Sequence, residues 1–142
     1  IVAVTNSKWS ADLPGYRDAM VAICESMLAA GRTVALKPHP RERDPDPLGL
    51  GDRAGVYTVP QQLLFEALVI LLEGPGVTVV GDASSSVLSA RWLRPDARVI
   101  ALRHDTTGAS RHYLRRVFTA LGVPVEDEPR RVPEKCFGAV RG

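Results

Sequence analysis

VTVVGDASSSVLSARWLR, residues 77 to 94, changes its hydrophobic pattern in the middle. The first four residues form a short, valine-rich apolar run, which is typical of a strand buried on both faces. The small residues of GDA predict a tight turn, and the segment from Ser84 to Arg94 predicts a short helix. A strand that passes through a small turn directly into a helix is the repeating unit of α/β folds with parallel sheets.

The same alternation extends along the chain in both directions. Short β-branched runs alternate with segments of helical spacing, and Gly31 and Gly122 follow two of those segments as predicted C-caps. We therefore predict a Rossmann-like, doubly wound sheet of about six parallel strands in the order 3-2-1-4-5-6, covered by helices on both faces. The predicted strands are 1–5, 33–37, 55–59, 77–80, 97–102 and 123–125, and the predicted helices are 16–30, 60–74, 84–94 and 109–122.

The composition is that of one compact soluble domain. The chain has 142 residues, of which 45% are hydrophobic and 24% charged, enough to enclose a single core. We expect that core within residues 1–125, followed by a charged, proline-containing tail over 126–142. Cys24 lies among apolar residues and Cys136 in the polar tail, so neither a disulfide framework nor a metal site is indicated.

Charge and hydropathy exclude other classes of protein. No apolar run approaches the length of a membrane span, and the start IVAVTNSKWS lacks the features of a signal peptide, which predicts a cytoplasmic location. The net charge of +2 is too small to indicate nucleic-acid binding. Because the chain begins without methionine inside a predicted strand, we expect it to be part of a longer protein.

Polar residues follow the three strands around the predicted switch point, the place between strands one and four where doubly wound sheets bind ligands. Asn6 and Ser7 follow the first strand, Lys37 ends the second and precedes the segment PHP, and the segment GDASSS follows the fourth. Parallel strands end at the same edge of a sheet, so we expect these residues to lie around one ligand.

The serine turn has the features of an anion site. One serine suffices to cap a helix, so the run Ser84, Ser85 and Ser86 leaves hydroxyls free beside the positive end of the helix dipole. Free N–H groups, hydroxyls and the dipole together favour phosphate. Asp82 would repel such an anion unless its carboxylate turns away. The alternative interpretation is a well-capped helix without a ligand.

His39 lies in the segment KPHPRE, residues 37 to 42. Pro38 and Pro40 stiffen the backbone on either side of it, so the imidazole is presented from a loop. Beside the serine turn it could donate a hydrogen bond to the same phosphate, or protonate it as it leaves. The alternative is a surface histidine in a proline-rich loop. Residues 57–62, after the third strand, are expected to form a wall for the base of a bound nucleotide.

The two motifs together resemble those of bacterial sialyltransferases. KPHPRE resembles the histidine-proline motif, and SSSVLSA the serine motif, of that family, especially of the capsular α-2,8-polysialyltransferase group. The resemblance covers roughly residues 1 to 122. It implies the GT-B architecture, in which two Rossmann-like halves enclose a cleft, and it implies that this chain is the C-terminal, nucleotide-binding half.

The resemblance also implies roles for individual residues. His39 would contact the phosphate of CMP-sialic acid and stabilise the departing CMP, while Ser84, Ser85 or Ser86 would hydrogen-bond that phosphate. Pro40 would fix the histidine loop. Lys37, Asn6 and Ser7 are further expected contacts to the substrate. The family transfers sialic acid to a glycan acceptor with inversion, needs no metal and uses no cofactor.

The sequence departs from the family pattern at the general base. The family base lies in the N-terminal half, in a motif of two acidic residues followed by glycine, and this chain has only LEG and VEDEP. The isolated chain is therefore expected to lack the catalytic base and to require an N-terminal half, or to dimerise through an exposed cleft wall. Its parent would work in the cytoplasm, peripherally at the inner face of the bacterial membrane. Two alternatives remain, a CDP-glycerol glycerophosphotransferase-like domain and a non-catalytic nucleotide-binding module.

Overall fold

The computed structural model describes residues 2–5, 14–74, 76–102, 115–128, 131, 132 and 135, which form alternating strands and helices. The strands are β1 (Val2–Thr5), β2 (Val34–Lys37), β3 (Val56–Thr58), β4 (Thr78–Asp82), β5 (Arg98–Leu102) and β6 (Val125–Glu126). The helices are α1 (Tyr16–Ala29), α2 (Phe65–Leu71) and α3 (Ser85–Leu93), and residues 115–120 are also helical. The predicted α/β class is confirmed.

The strands of the described residues form one sheet in the order β3-β2-β1-β4-β5-β6, and each neighbouring pair is parallel. β1 is central, with Thr5 opposite Lys37 of β2 on one side and Gly81 of β4 on the other. The ends of β2 and β4 therefore lie on either side of β1 at the carboxyl edge of the sheet. This places the histidine and serine loops at the same edge.

Alternate residues of each strand separate the core into two layers. Leu36, Val80 and Ile100 pack with α1, whereas Ala35, Val79 and their neighbours pack with α2, α3 and the 115–120 segment. Successive side chains in a strand point to opposite faces, so the sheet is covered on both sides. We call these layers the α1 face and the α2/α3 face.

The end of α1 shows why the glycine after it stops the helix. Gly31 has φ of 71°, its N–H bonds to the carbonyl of Leu28 at 2.9 Å, and Arg32 N–H bonds to the carbonyl of Met27 at 3.0 Å. These two bonds form a Schellman motif, which needs a left-handed residue at this position. Burial in the α1 face raises the pKa of the Cys24 thiol to about 12, so Cys24 acts as a core residue.

Residues 60–64 differ from the prediction. The sequence predicts that the helix begins at Pro60, but α2 begins at Phe65 after an extended Leu64, and Leu63 N–H bonds to the carbonyl of Pro60 in a turn. The reason is a long-range contact, because the carbonyl of Gln61 accepts a hydrogen bond from Lys37 Nζ at 3.0 Å. The Gln61 carbonyl therefore accepts a bond from a residue of β2 and does not close a helical turn.

The loop over 38–55 replaces a helix between β2 and β3, as its proline and glycine content predicts. The carboxylate of Asp46 accepts the N–H groups of Leu50 and Gly51 at 2.9 and 2.8 Å. Arg17 of α1 donates to the carbonyl of Leu48 at 3.0 Å, and the Leu48 and Leu50 side chains are buried in the α1 face. The loop is irregular but anchored, and it supports the histidine segment from which it starts.

The carboxyl-terminal elements shift by a few residues. β4 extends to Asp82 because Gly81 and Asp82 pair with Ala101 and Leu102 of β5, and β6 pairs at 125–126, not over 123–125. Val132, in the segment predicted as a tail, is fully buried in the α1 face. Over the part of the chain that the structure describes, no helix is both long and apolar enough to cross a bilayer.

Candidate functional site

The loops after β2, β3 and β4 surround a cavity of about 350 Å³ at the carboxyl edge of the sheet. We call it the carboxyl-edge cavity. Lys37, His39 and Pro40 line it from one side, and Ser84, Ser85 and Ser86 from the other. The predicted contacts Asn6 and Ser7 lie outside the described residues. The cavity therefore joins the two motifs that the sequence singled out, as the switch-point rule of doubly wound sheets predicts.

The serine turn is not used to cap α3. Ser84 is the N-cap residue in extended conformation, and its side chain makes no capping hydrogen bond. Within the described part of the chain, the hydroxyls of Ser84, Ser85 and Ser86 have no hydrogen-bond partner. The alternative of a serine that only caps the helix is thus not what the structure shows. The hydroxyls and the first N–H groups of a nine-residue helix remain available at the cavity wall.

Lys37 is the buried cation of the cavity. Its side chain is 3% exposed, and Nζ donates to the carbonyls of Pro38 and Gln61 at 2.9 and 3.0 Å. Among the described residues it forms no ion pair with a carboxylate. Burial lowers the pKa of Lys37, since the charged form loses hydration that neutral carbonyls replace only in part. An anion in the cavity would supply the missing counter-charge.

Asp82 also contributes to the cavity lining, but its carboxylate belongs to the other side of the sheet. It follows Val80 by two residues, so it shares the α1 face, where Tyr16 is buried. Burial raises the pKa of Tyr16, and the nearby charge of Asp82 raises that pKa further. The hydroxyl therefore stays protonated beside the carboxylate. Asp82 is turned away from the serines, as anion binding at the serine turn requires.

Lys37 lies on the opposite face. It follows Ala35 by two residues, so its side chain is on the α2/α3 face, which also contains α3 and its serine turn. The sheet thus separates one buried cation from one buried carboxylate, although both residues end strands next to β1. Lys37 therefore contributes a positive charge on the face that contains the serines, while Glu66 also lines the cavity.

His39 is half-buried and held by its own loop. Its Nδ1 accepts the N–H of Arg41 at 3.1 Å, and its carbonyl accepts the N–H of Glu42 at 2.9 Å. A ring nitrogen that accepts a hydrogen bond cannot also hold a proton, so in the neutral imidazole the proton is on Nε2. The loop therefore orients the ring and leaves Nε2–H as the donor that a ligand can use.

The third wall contains residues that the sequence interpretation only partly anticipated. Gln61 and Gln62 line the cavity as expected for the 57–62 segment, whereas Tyr57 does not and is 65% exposed. Gln61 Nε2 donates to the carbonyl of Glu42 at 2.8 Å, which ties this wall to the histidine loop. Further wall residues were missed: Leu63, Leu64, Phe65 and Glu66. The adjacent Gln61 and Gln62, which precede an apolar helix, were the sequence signal from which this wall could have been inferred.

The arrangement suits an anion better than a metal ion. A buried ammonium, an Nε2–H donor, three hydroxyls and a helix N-terminus all offer positive charge or hydrogens, which favours phosphate. In the described ranges no group of three or more His, Cys, Asp or Glu side chains could hold a metal ion. No model of a known protein family matches the chain, and a search of curated proteins finds no significant match.

Proposed function

We propose that this chain is the CMP-sialic-acid-binding domain of a bacterial sialyltransferase or polysialyltransferase, the C-terminal half of a GT-B enzyme. The observation behind this proposal is the carboxyl-edge cavity, in which Lys37, His39 and the uncapped serine turn line the same space. Parallel α/β sheets bind nucleotides at this edge, and the two loops are those in which the sequence resembles the family. The parent enzyme would act in the cytoplasm, at the inner face of the membrane.

In this proposal the cavity binds the phosphate of the nucleotide sugar. The serine hydroxyls and the first N–H groups of α3 hydrogen-bond the phosphate oxygens, and the Lys37 ammonium neutralises charge at the wall. His39 donates from Nε2, because its Nδ1 is occupied by Arg41 N–H. These groups are fixed before the ligand arrives, so little reorganisation is needed when it binds.

The same groups would assist transfer. When the bond between the sugar anomeric carbon and the phosphate oxygen breaks, that oxygen gains the bonding electron pair and leaves with CMP. The helix N-terminus, Lys37 and His39 stabilise this charge, and His39 donates a hydrogen bond from Nε2–H to the leaving phosphate. The acceptor hydroxyl attacks the anomeric carbon, and its proton goes to a carboxylate that the N-terminal half would provide.

The experiment is a calorimetric titration of the domain with CMP, and with UMP, AMP and CDP-glycerol for comparison. We expect CMP to bind best and expect His39→Ala, and the Ser85→Ala, Ser86→Ala double variant, each to weaken binding by about tenfold. The matched controls are Arg41→Ala, which keeps the N–H that His39 accepts, and Ser89→Ala, which is on α3 but outside the cavity. Both controls should bind CMP like the unaltered chain.

Each alternative has its own outcome. A preference for CDP-glycerol would identify a glycerophosphotransferase-like domain, since that ligand offers the same phosphate chemistry with a different transferred group. Selective CMP binding by a chain that stays inactive with its N-terminal half supplied would indicate a binding module. If no nucleotide binds, or if the control variants bind as weakly as the site variants, the proposal is wrong.

A further inference from the structure

The histidine segment, which we define as residues 39–45, follows β2 without a side chain buried in the core. Pro38 before it and Leu48 after it are both buried, but all of its own side chains are exposed or half-buried. None of them belongs to either core layer of the described residues. Packing therefore contributes little to the shape of the segment from which His39 lines the carboxyl-edge cavity, and its conformation depends on hydrogen bonds.

Most of those hydrogen bonds lie within the segment itself. His39 Nδ1 and the His39 carbonyl accept the N–H groups of Arg41 and Glu42 at 3.1 and 2.9 Å. The Glu42 carboxylate accepts the N–H groups of Arg43 and Asp44 at 2.7 and 3.2 Å. These bonds join close neighbours, so they shape the segment without fixing it to the rest of the fold.

Among the described residues, one hydrogen bond reaches the histidine segment from outside its own loop. Gln61 Nε2, beyond β3, donates to the carbonyl of Glu42 at 2.8 Å. No ion pair within the same part of the chain involves the segment. The N–H of Glu42 bonds to the His39 carbonyl, so Gln61 holds the residue that closes the turn after the histidine. The Gln61 side chain therefore tethers the segment at one point.

The backbone of Gln61 holds the buried cation of the cavity. Its carbonyl accepts a hydrogen bond from Lys37 Nζ at 3.0 Å, whereas its carboxamide donates to Glu42. One residue after β3 is thus connected to the two cavity groups that follow β2, and it uses a different atom for each. A change of the side chain removes the bond to Glu42 and keeps the carbonyl that Lys37 uses.

We propose that Gln61 is a positioning residue, which holds His39 in the orientation that presents Nε2–H to an anion in the carboxyl-edge cavity. It acts through Glu42 and needs no contact of its own with the ligand. The identity of the anion rests on the proposed function, whereas the tether is a property of the chain without a ligand. A residue that only stabilised the fold would not act selectively on the histidine segment, and one that touched the ligand directly would not act through His39.

The first test is the exchange of backbone amides with solvent, measured by NMR in the chain without a ligand. Gln61→Met keeps the length of the side chain and loses the donor, so the Arg41 and Glu42 amides should exchange about fivefold faster. The Val59 amide, which bonds to the carbonyl of Leu36 in β2 at 2.7 Å, should be unchanged. An equal acceleration at Val59, or unchanged exchange at Arg41 and Glu42, would overturn the proposal.

The matched control is Arg17→Met, because Arg17 also donates to a carbonyl of this loop, that of Leu48 at 3.0 Å. The substitution removes a tether of the same kind outside the histidine segment. The two amides of the histidine segment should therefore exchange as they do in the unaltered chain. If Arg17→Met accelerates them as much as Gln61→Met does, the loop moves as one unit, and the proposal is wrong.

The second test is a double-mutant cycle of CMP affinity, measured by calorimetry. Gln61→Met should weaken binding by about fivefold in the unaltered chain, but by less than about twofold when His39→Ala is already present. In the Lys37→Met background the loss should remain, since Lys37 uses the backbone carbonyl of Gln61. Full additivity with His39→Ala would mean that Gln61 acts on the ligand directly, which would overturn the proposal. Absence of CMP binding would refute the proposed function, whereas amide exchange would still decide the role of Gln61.

Discussion

Lys37 and Asp82 end two parallel strands that flank β1, and both are buried, yet their side chains lie on opposite faces of the sheet. Lys37 donates to two neutral carbonyls on the α2/α3 face, whereas Asp82 lies beside the hydroxyl of Tyr16 on the α1 face. Had both pointed to one face, they could have formed an ion pair that neutralised the site. The sheet prevents this, so Asp82 does not neutralise the Lys37 ammonium.

The two buried charges are therefore expected to have different roles, one in stability and one in ligand binding. On the α1 face the Asp82 carboxylate lies beside the Tyr16 hydroxyl, and we expect removal of that hydroxyl to change stability. On the α2/α3 face a cation lacks a carboxylate among the described residues, and we expect its loss to change ligand binding. Variants of each group test this difference. If a change beside Asp82 altered ligand binding, or a change at Lys37 left binding unaltered, the two groups would not have separate roles.

The largest effect is expected from Lys37→Met. Methionine keeps the apolar stem and removes the charge, so CMP affinity should fall by about tenfold or more in calorimetry. The free energy of unfolding in urea should change by only about 1 kcal/mol, because the lost hydrogen bonds are offset by the removal of a buried charge. Arg43→Met, which removes an exposed cation from the same loop, is the control and should leave affinity within about twofold. Equal losses in both variants would mean that only overall charge matters.

Tyr16→Phe should produce the converse result. Removal of the hydroxyl takes away a polar neighbour of the Asp82 carboxylate on the α1 face, so the free energy of unfolding should fall by about 1–3 kcal/mol. CMP affinity should stay within about twofold, since Tyr16 does not line the cavity. Tyr57→Phe, at a tyrosine that is 65% exposed, is the control and should change neither quantity. A Tyr16→Phe variant of full stability would show that the hydroxyl does not support Asp82.

A smaller, graded effect is expected from pH. The pKa of Lys37 is lowered from its ordinary 10.5 by burial, so as pH rises from neutral towards 10.5 the folded state loses this proton before the unfolded state does. Between the lowered pKa and 10.5, Lys37 therefore contributes stability that increases with pH, while anion binding decreases over the same interval. The CMP affinities of the unaltered chain and Lys37→Met should converge at alkaline pH, measured by calorimetry. Parallel pH curves would exclude Lys37 as the titrating cation.

The smallest effect is expected at the surface. Arg53 and Glu25 form an ion pair at 2.8 Å with both side chains well exposed, and such pairs contribute about 0–1 kcal/mol. Arg53→Gln should therefore lower the free energy of unfolding by less than about 1 kcal/mol and leave CMP affinity unchanged. A double-mutant cycle with Glu25→Gln measures the pair. A larger coupling would mean that exposure is a poor guide to the energetic weight of charges in this chain.

Local signals predicted the elements whose causes are local. The valine run before GDASSS predicted β4 and α3, and Gly31 predicted the end of α1, because a strand–turn–helix unit and a Schellman glycine are defined within a few residues. The cavity followed from strand order, since parallel strands bring their carboxyl ends together. These inferences needed periodicity and topology only.

Long-range contacts account for two of the three differences. α2 begins after residues 60–64 because Lys37 takes the Gln61 carbonyl, and the spacing between these residues gives no hint of that bond. The sequence also predicted a serine cap that the structure does not form, since the hydroxyl of Ser84 makes no bond to its own helix. Val132 was assigned to a polar tail because a single apolar residue among charges predicts no core position. The start of α2 and the burial of Val132 depend on partners far along the chain.

The central position of β1 has a consequence for the order of folding. β1 pairs with β4 only after α1, β2, β3 and α2 have been synthesised, so this pairing closes the longest loop in the sheet. The walls of the carboxyl-edge cavity come from the loops after β2 and β4, which meet only across β1. A ligand can bind there only after β1 has paired with β4, so it stabilises the folded state and not the earlier steps. It should therefore slow unfolding more than it speeds folding.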